Sequence, residues 1–588
     1  MERDRTTPKD VPMLHNFQVI SKTLKPADLN LPPKFREFRQ SQLEALDELA
    51  QKTDKFMFLN ANCGAGGKTV IMAALPRIRG MLIEKMPTGI RTIYTCHQKS
   101  LQAQVINDFS HDLAGKQYAV ELCGRANYRC LKNRSLSCNE CTKDRGNEFP
   151  KHCARCEFVN CDARNPAGVV MPVNRCPCVH QCEYWTAKDK AANAELAVLN
   201  IQYFLSESNT ADSLFSGWPL VVLDECDLTE SVLMEYIGIS VPVGFLEKLS
   251  ISSPPLANPV GQRETAKWLS DTISRMKSRV QEIRVHEDPN VADIREQKTL
   301  EGLIARLLEF QFEDLDRWVV MPPDEKQTTP CVIWKPIDIK KLAERYLWRH
   351  ADQFLLMSGT VLSPDRLAAD FGLDPHKVAY TPIDYAFPPE TRPIYYTPVV
   401  DMTSRNLNFN GREAVWGTMV KKADGIITNH PGVKGLVHTA NYSLAEYFIQ
   451  HSVHGVRLIT HENAAERERS LKIFLESPKP LVMVSPSLTR GFDGRDDRCR
   501  FIIVLKLPYP NPCDPQIARR LLDLDGRVWY DYGVIRETIQ ETSRGNRSER
   551  DYCEIYILDG QFGKLFDGYW RIWPKYWVAA LHREDLHH

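Results

Sequence analysis

No apolar run in this 588-residue chain approaches the roughly 20 residues that a membrane-spanning helix requires. Neither sign of charge is in excess: 75 Lys and Arg face 75 Asp and Glu. A polycation that coats nucleic acid is thereby excluded, and any basic surface must be a local channel. The first residues, MERDRTTPKDVPMLHNF, lack the apolar core of a secretory leader. Internal repeats and low-complexity tracts are absent as well. The expected setting is the cytoplasm, with no membrane contact. Seventeen cysteines in that reducing compartment speak for metal ligation over disulfides. What remains is ordinary: 43% hydrophobic and 26% charged residues, in a length that suits about three or four domains of a globular enzyme.

Two segments carry the most chemistry. Gly64-Ala65-Gly66-Gly67-Lys68-Thr69 follows the apolar run Phe56-Met57-Phe58-Leu59. A buried strand ending in a glycine-rich turn with Lys-Thr is suited to phosphates. Backbone N–H groups and a helix N-terminus cradle them, Lys68 neutralises the β- and γ-oxygens, and Thr69 offers a hydroxyl to Mg2+. Asp224-Glu225-Cys226-Asp227 closes a second apolar run, Trp218 to Leu223. Asp224 would hold Mg2+ through water, and Glu225 would orient and deprotonate an attacking water. Asn62 stands where strict phosphate-loop spacing has its first glycine. Either motif alone matches by chance; both, in order and each after an apolar strand, point to binding and hydrolysis of a nucleoside triphosphate.

The pattern between them predicts a helix over 35–51, strands at 56–59 and 91–95, and helices from Thr69 and over 101–113. Helix then strand follow over 187–205. This alternation predicts an α/β fold with a parallel sheet covered on both faces. From 229 to 345 the spacing is helical: Trp268, Leu269, Ile273, Met276, Val280 and Ile283, then Leu300, Leu303, Leu307 and Phe310. A second parallel-sheet domain is read over 386–588, with strands near 394, 435–438, 481–485, 501–505 and 554–558. In it, Gln540, Arg544 and Arg547 share one face if their segment is helical, and could reach a γ-phosphate across a cleft as arginine fingers do.

The motif order resembles the superfamily 2 DNA helicases of the XPD/DinG type, from about 35 to 560. Arg39-Gln40-Ser41-Gln42 is similar to their adenine-recognising element, which implicates Arg39 and Gln42 in the nucleotide site. Thr95 through Leu101-Gln102-Ala103-Gln104 resembles motif Ia, and Ser100 to Gln104 leans towards the bacterial and phage DinG branch. Asp224-Glu225-Cys226-Asp227 stands for D-E-x-H, with Asp227 replacing the usual His. Ser358-Gly359-Thr360 stands for motif III. Thr489-Arg490-Gly491-Phe492-Asp493 resembles motif V, which adds Asp493 to the nucleotide site, and Pro508 to Pro515 resembles the proline run after it. Gln540 to Arg547 resembles motif VI.

The resemblance implies two RecA-like domains with two insertions in the first. Its expected boundaries are 1–118, 187–228 and 346–385 for the first helicase domain and 386–588 for the second. A cysteine-rich metal domain would occupy 119–186 and a helical arch 229–345. It also implies a 4Fe–4S cluster opened by Cys130, in Gly124-Arg125-Ala126-Asn127-Tyr128-Arg129-Cys130, and closed by Cys182. Cys138 and Cys141, or Cys176 and Cys178, would supply the middle ligands. A second reading stands beside it: Cys138, Cys141, Cys153 and Cys156 have zinc-ribbon spacing, and ten cysteines between 123 and 182 suffice for both Fe–S and Zn2+.

The function so implied is ATP-driven 5′→3′ translocation of a monomer on single-stranded DNA, unwinding DNA duplexes or RNA–DNA hybrids. A place in a replication, repair or CRISPR complex stays open. Tyr128, Trp185 and Tyr442 are candidate base-stacking residues. The first 30 residues leave no room for an N-terminal nuclease. The alternative is a nucleic-acid-binding protein with a degenerate ATP site and a zinc or Fe–S module, motivated by the altered phosphate loop.

Overall fold

Runs such as Leu220–Leu223 and Phe354–Met357 are apolar at every position, as strands covered on both faces must be. In the computed structural model, which describes residues 23–62, 67–84, 89–129, 183–256, 261–286, 291–324, 329–383, 387–488, 494–546 and 551–583, such runs form two parallel sheets.

The first lobe opens with α1 (Gln40–Gln51), β1 (Phe56–Ala61), α2 (Lys68–Glu84), β2 (Thr92–Cys96), α3 (Lys99–Phe109) and β3 (Ala119–Leu122). It resumes with α4 (Glu183–Ala192), β4 (Leu196–Asn200), α5 (Ile201–Ser208), β5 (Trp218–Asp224) and α6 (Thr229–Ile237). Next come β6 (Ile239–Pro242), the long helices α7 (Gln262–Val285) and α8 (Val291–Phe310), β7 (Trp318–Met321) and β8 (Cys331–Pro336). The lobe closes with β9 (Ala351–Ser358), α9 (Pro364–Asp370) and β10 (Val378–Ile383). Its seven strands run in the order β10-β1-β9-β5-β2-β4-β3, all parallel. Val221 and Leu223 point into one core and Leu220 and Val222 into the other.

The second lobe holds β11 (Ile394–Val400), β12 (Gly435–His438), β13 (Leu458–Ile459), β14 (Val482–Ser485), β15 (Phe501–Val504), α10 (Pro515–Arg520), α11 (Gly526–Thr542), β16 (Glu554–Asp559) and β17 (Leu581–Arg583). Its strands are again parallel, ordered β13-β14-β12-β15-β16-β11-β17. Two RecA-like lobes are therefore present. Among the described residues no helix is long and apolar enough to cross a membrane.

Several sequence expectations need correction. The first helix starts at Gln40, not at Phe35, because Arg39 is its extended N-cap and the Gln42 side chain accepts the Arg39 N–H at 2.9 Å. The helix expected over 101–113 stops at Phe109, where the chain turns back and His111 bridges Gln117. The strand expected to end near 205 gives way at Ile201 to α5, capped by the Asn200 side chain. The module at 229–345 is not all helix. The long hairpin buries its predicted stripe, from Trp268 to Phe310, but it stands on a three-stranded antiparallel sheet, β6-β8-β7. Those strands are four to six residues long, too short for periodicity to separate them from helix.

Candidate active site

In a parallel sheet the chemistry gathers beyond the carboxyl ends of the strands. Strand order places β9 between β1 and β5, so three chain ends converge: the loop after Ala61, Ser358, and Asp224. Lys68 opens α2 and reaches across this edge. Its Nζ lies 3.0 Å from Asp224 Oδ1 and 3.3 Å from Glu225 Oε1. Asp224 also accepts the Glu225 N–H at 2.9 Å and the buried Tyr94 hydroxyl at 2.6 Å. Burial first, and Asp224 second, push the Tyr94 phenol well above its usual range, so it stays a donor. Glu225 adopts a left-handed backbone, φ 51°, which is uncommon for a residue other than glycine and marks a locally constrained turn.

Gly67 also has positive φ, 55°, and a Cβ there would lie 2.4 Å from Gln42 Nε2. The Gln42 amide thus packs against Gly67, next to Lys68, which brings the Arg39–Gln42 element to this edge of the sheet. Thr69 is the second residue of α2. Gly64, Gly66, Asp493 and Arg547 lie outside the described residues.

A second set of contacts crosses between lobes. Ser358 Oγ donates to Asp227 Oδ1 at 2.7 Å and lies 3.3 Å from Thr360 Oγ1. Gln540 Nε2, from the second lobe, donates to Thr360 Oγ1 at 3.0 Å. Arg544 closes the series through Nη2 to Gln540 Oε1 and Nε to Gln540 O, both 3.0 Å. All five residues are buried, so these polar groups act on one another in a low dielectric. Here the predicted helical face needs correction. Helix α11 ends at Thr542, and Arg544 reaches Gln540 by folding back from the following turn rather than from the next helical turn. The turn itself is tight: a Cβ on Gly545 would lie 2.1 Å from Cys553 Sγ.

Tyr94, and the direct contact of Asp227 with Ser358, escaped sequence reasoning. Tyr94 is one of five buried residues in β2, and only the pairing of β2 with β5, Tyr94 opposite Val222, reveals its aim at Asp224.

Hard oxygen donors suit Mg2+, and the Asp224 carboxylate facing the first turn of α2 is such a donor. Cys130, Cys138, Cys141, Cys153, Cys156, Cys176, Cys178 and Cys182 all lie outside the described residues. Among the described residues no cluster of three or more His, Cys, Asp or Glu forms a metal site. The flanks of the cysteine-rich segment do meet. The rings of Tyr128 and Tyr184 are 5.6 Å apart, and Arg125 stacks over Tyr184 at 4.7 Å. Trp185 packs on Tyr184 at 5.5 Å, so both flanking aromatics are partly buried, whereas Tyr442 is 43% exposed.

Residues 426–579 match the helicase C-terminal domain family. A stretch of 89 residues, 14% of this chain, is 28% identical to the ATP-dependent DNA helicase chl-1 of Caenorhabditis elegans; it spans 11% of that protein. A solved structure described as XPD helicase superposes with a TM-score of 0.55 at 14% identity, covering 93% of this chain and 100% of that chain. A second, described as XPD apo, gives 0.53 at 13% identity with the same coverage. These structures speak to the fold, and the domain match speaks to the second lobe. Together they assign residues 426–579 to the helicase C-terminal domain family and show that the chain shares the fold of the XPD helicase structures.

Proposed function

We propose that this chain is an ATP-dependent helicase that moves 5′→3′ on single-stranded DNA and opens DNA duplexes or RNA–DNA hybrids. The observation that carries the reading is the buried polar series from Asp227 through Ser358, Thr360 and Gln540 to Arg544. It joins the loop that holds Asp224 and Glu225 to the opposite lobe. Any change at the phosphates would thereby bear on how the lobes meet.

In the mechanism, Lys68 binds the β- and γ-phosphates in place of its present carboxylate partners. Tyr94 and the Glu225 N–H orient Asp224, and Glu225 takes the proton of the attacking water. Mg2+, held by Asp224 and Thr69, would neutralise phosphate charge. Arg544, with Arg547, stabilises charge on the transferring phosphoryl group, and Gln540 positions Arg544. Arg39 and Gln42 face the adenine, with Gly64, Gly66, Gly67 and Asp493 completing the nucleotide site. Domain boundaries follow the sequence expectation, with the hairpin and the cysteine-rich segment as the strand-separating parts. The 5′→3′ polarity and the preference for DNA rest on the family likeness.

The test is strand separation of a forked duplex by the parent chain and by Glu225→Gln. Opening that needs ATP and disappears in the variant supports the reading. Binding of nucleic acid with no ATP turnover by the parent would leave only a binding module.

Tyr94→Phe should slow hydrolysis by about tenfold, because a hydrogen bond to a charged acceptor is worth ~1.5–3 kcal/mol. Steady-state phosphate release at saturating Mg2+ measures it, and a parental rate would remove Tyr94 from the site. Protein purified without oxygen should carry about four iron and four sulfide per chain, as one 4Fe–4S cluster requires. Zinc in addition would assign Cys138, Cys141, Cys153 and Cys156 to a separate site, and a metal-free chain would contradict both metal readings.

A further inference from the structure

The lobes touch a second time, away from the phosphates. There α10 of the second lobe seats against β7, the edge strand of the small sheet from which the helical hairpin rises. Arg520, the last residue of α10, is fully buried among three carboxylates. It lies 3.1 Å from Asp338, 3.4 Å from Asp370 and 3.5 Å from Glu230. Trp529 Nε1 donates to Glu230 at 2.9 Å. Around this centre Arg317 makes a paired contact with Asp523, both bonds 2.9 Å, and also holds Asp338. Lys340 reaches Asp525 at 3.3 Å, and Arg366 reaches Asp525 at 3.1 Å and Asp370 at 3.0 Å.

The partners come from telling places. Glu230 lies in the first turn of helix α6, which follows the Asp224–Glu225 turn. Asp370 ends α9, the helix after Ser358 and Thr360. Arg317 and Asp338 flank the strands at the hairpin's root. One guanidinium therefore touches elements leading from both nucleotide-site loops and the base of the hairpin. Assembling buried ions gains little stability, but removing one partner strands the others without compensation, so such a network fixes orientation tightly. The Arg317 hydrogen bond holds Asp523 below the ordinary carboxylate range, which keeps that pair ionised.

Resting on the helicase reading, we propose that Arg520 and the surrounding ion pairs are a coupling joint, through which movement of the second lobe at the nucleotide cleft is passed to the root of the α7–α8 hairpin. The residues position the hairpin and touch no substrate.

Arg317 and Lys340 are partly exposed, so the double variant Arg317→Ala with Lys340→Ala weakens the joint while keeping Arg520. Nucleic-acid-stimulated ATP turnover should stay within about twofold of the parent, while base pairs opened per ATP fall at least fivefold. Spectroscopic probes placed through unnatural amino acids at the exposed positions Glu282, on the hairpin, and Lys472, on the second lobe, report the geometry directly. Their separation should stay constant in the parent when a non-hydrolysable ATP analogue binds, and should shift in the double variant. An unchanged opening ratio, or probe distances that respond alike in both proteins, overturns the joint. If the parent opens no duplex, the helicase reading fails by itself, and the probe distances alone decide the joint.

Discussion

Replacing Lys68 by alanine should cut ATP turnover by at least about 100-fold, the scale of losing one preorganised electrostatic contact to a reacting centre. The ammonium sits 3.0 Å from Asp224 and 3.3 Å from Glu225. Without Lys68 the two carboxylates lose the cation they share, so the variant disfavours a polyanionic ligand twice over. Phosphate release at saturating nucleic acid measures the loss, and circular dichroism checks that the fold persists. Turnover near the parental rate would show that the phosphates bind elsewhere.

Arg544→Ala should lower turnover by about 10³-fold while leaving nucleotide affinity within a few-fold, as expected of a residue that meets charge chiefly in the transition state. The geometry explains why the effect should be specific. Arg544 is held at 3.0 Å by both the backbone and the side chain of Gln540, and Gln540 is itself held at 3.0 Å by Thr360 of the first lobe. Arg544→Lys should fail to rescue, since an ammonium cannot make the forked pair of bonds. Thermal melting separates this from unfolding, because truncation leaves buried acceptors on Gln540 worth ~1–3 kcal/mol. A variant that binds ATP weakly but turns it over at the parental maximal rate would assign Arg544 to ground-state binding alone.

The cysteine-rich segment illustrates a different division. Cys138-x-x-Cys141 has the spacing of a metal-binding pair, but several ligand sets satisfy the same spacings. The structure contributes only the flanks, where Tyr128 and Tyr184 come together. In the helical module the long stripes of α7 and α8 were legible, because several consecutive turns of consistent periodicity outweigh noise. The strands beneath them were not, because runs such as Trp318–Met321 fit either helix or strand and are decided by which edges they can pair with.

The sequence alone determined the two parallel sheets and singled out the glycine-rich turn and the acidic turn as candidates. Each of these is encoded by contiguous residues: an apolar strand, then the glycines and Lys68, or then Asp224 and Glu225. Tertiary structure alone decided that Tyr94 serves Asp224, that Asp227 reaches Ser358, that Arg544 folds back onto Gln540, and that Arg520 binds three carboxylates from separate segments. Apart from the Arg544–Gln540 contact, these join residues more than 100 positions apart, up to 290 for Arg520 and Glu230. They depend on strand order and on how one lobe seats against the other, which no local pattern of side chains records.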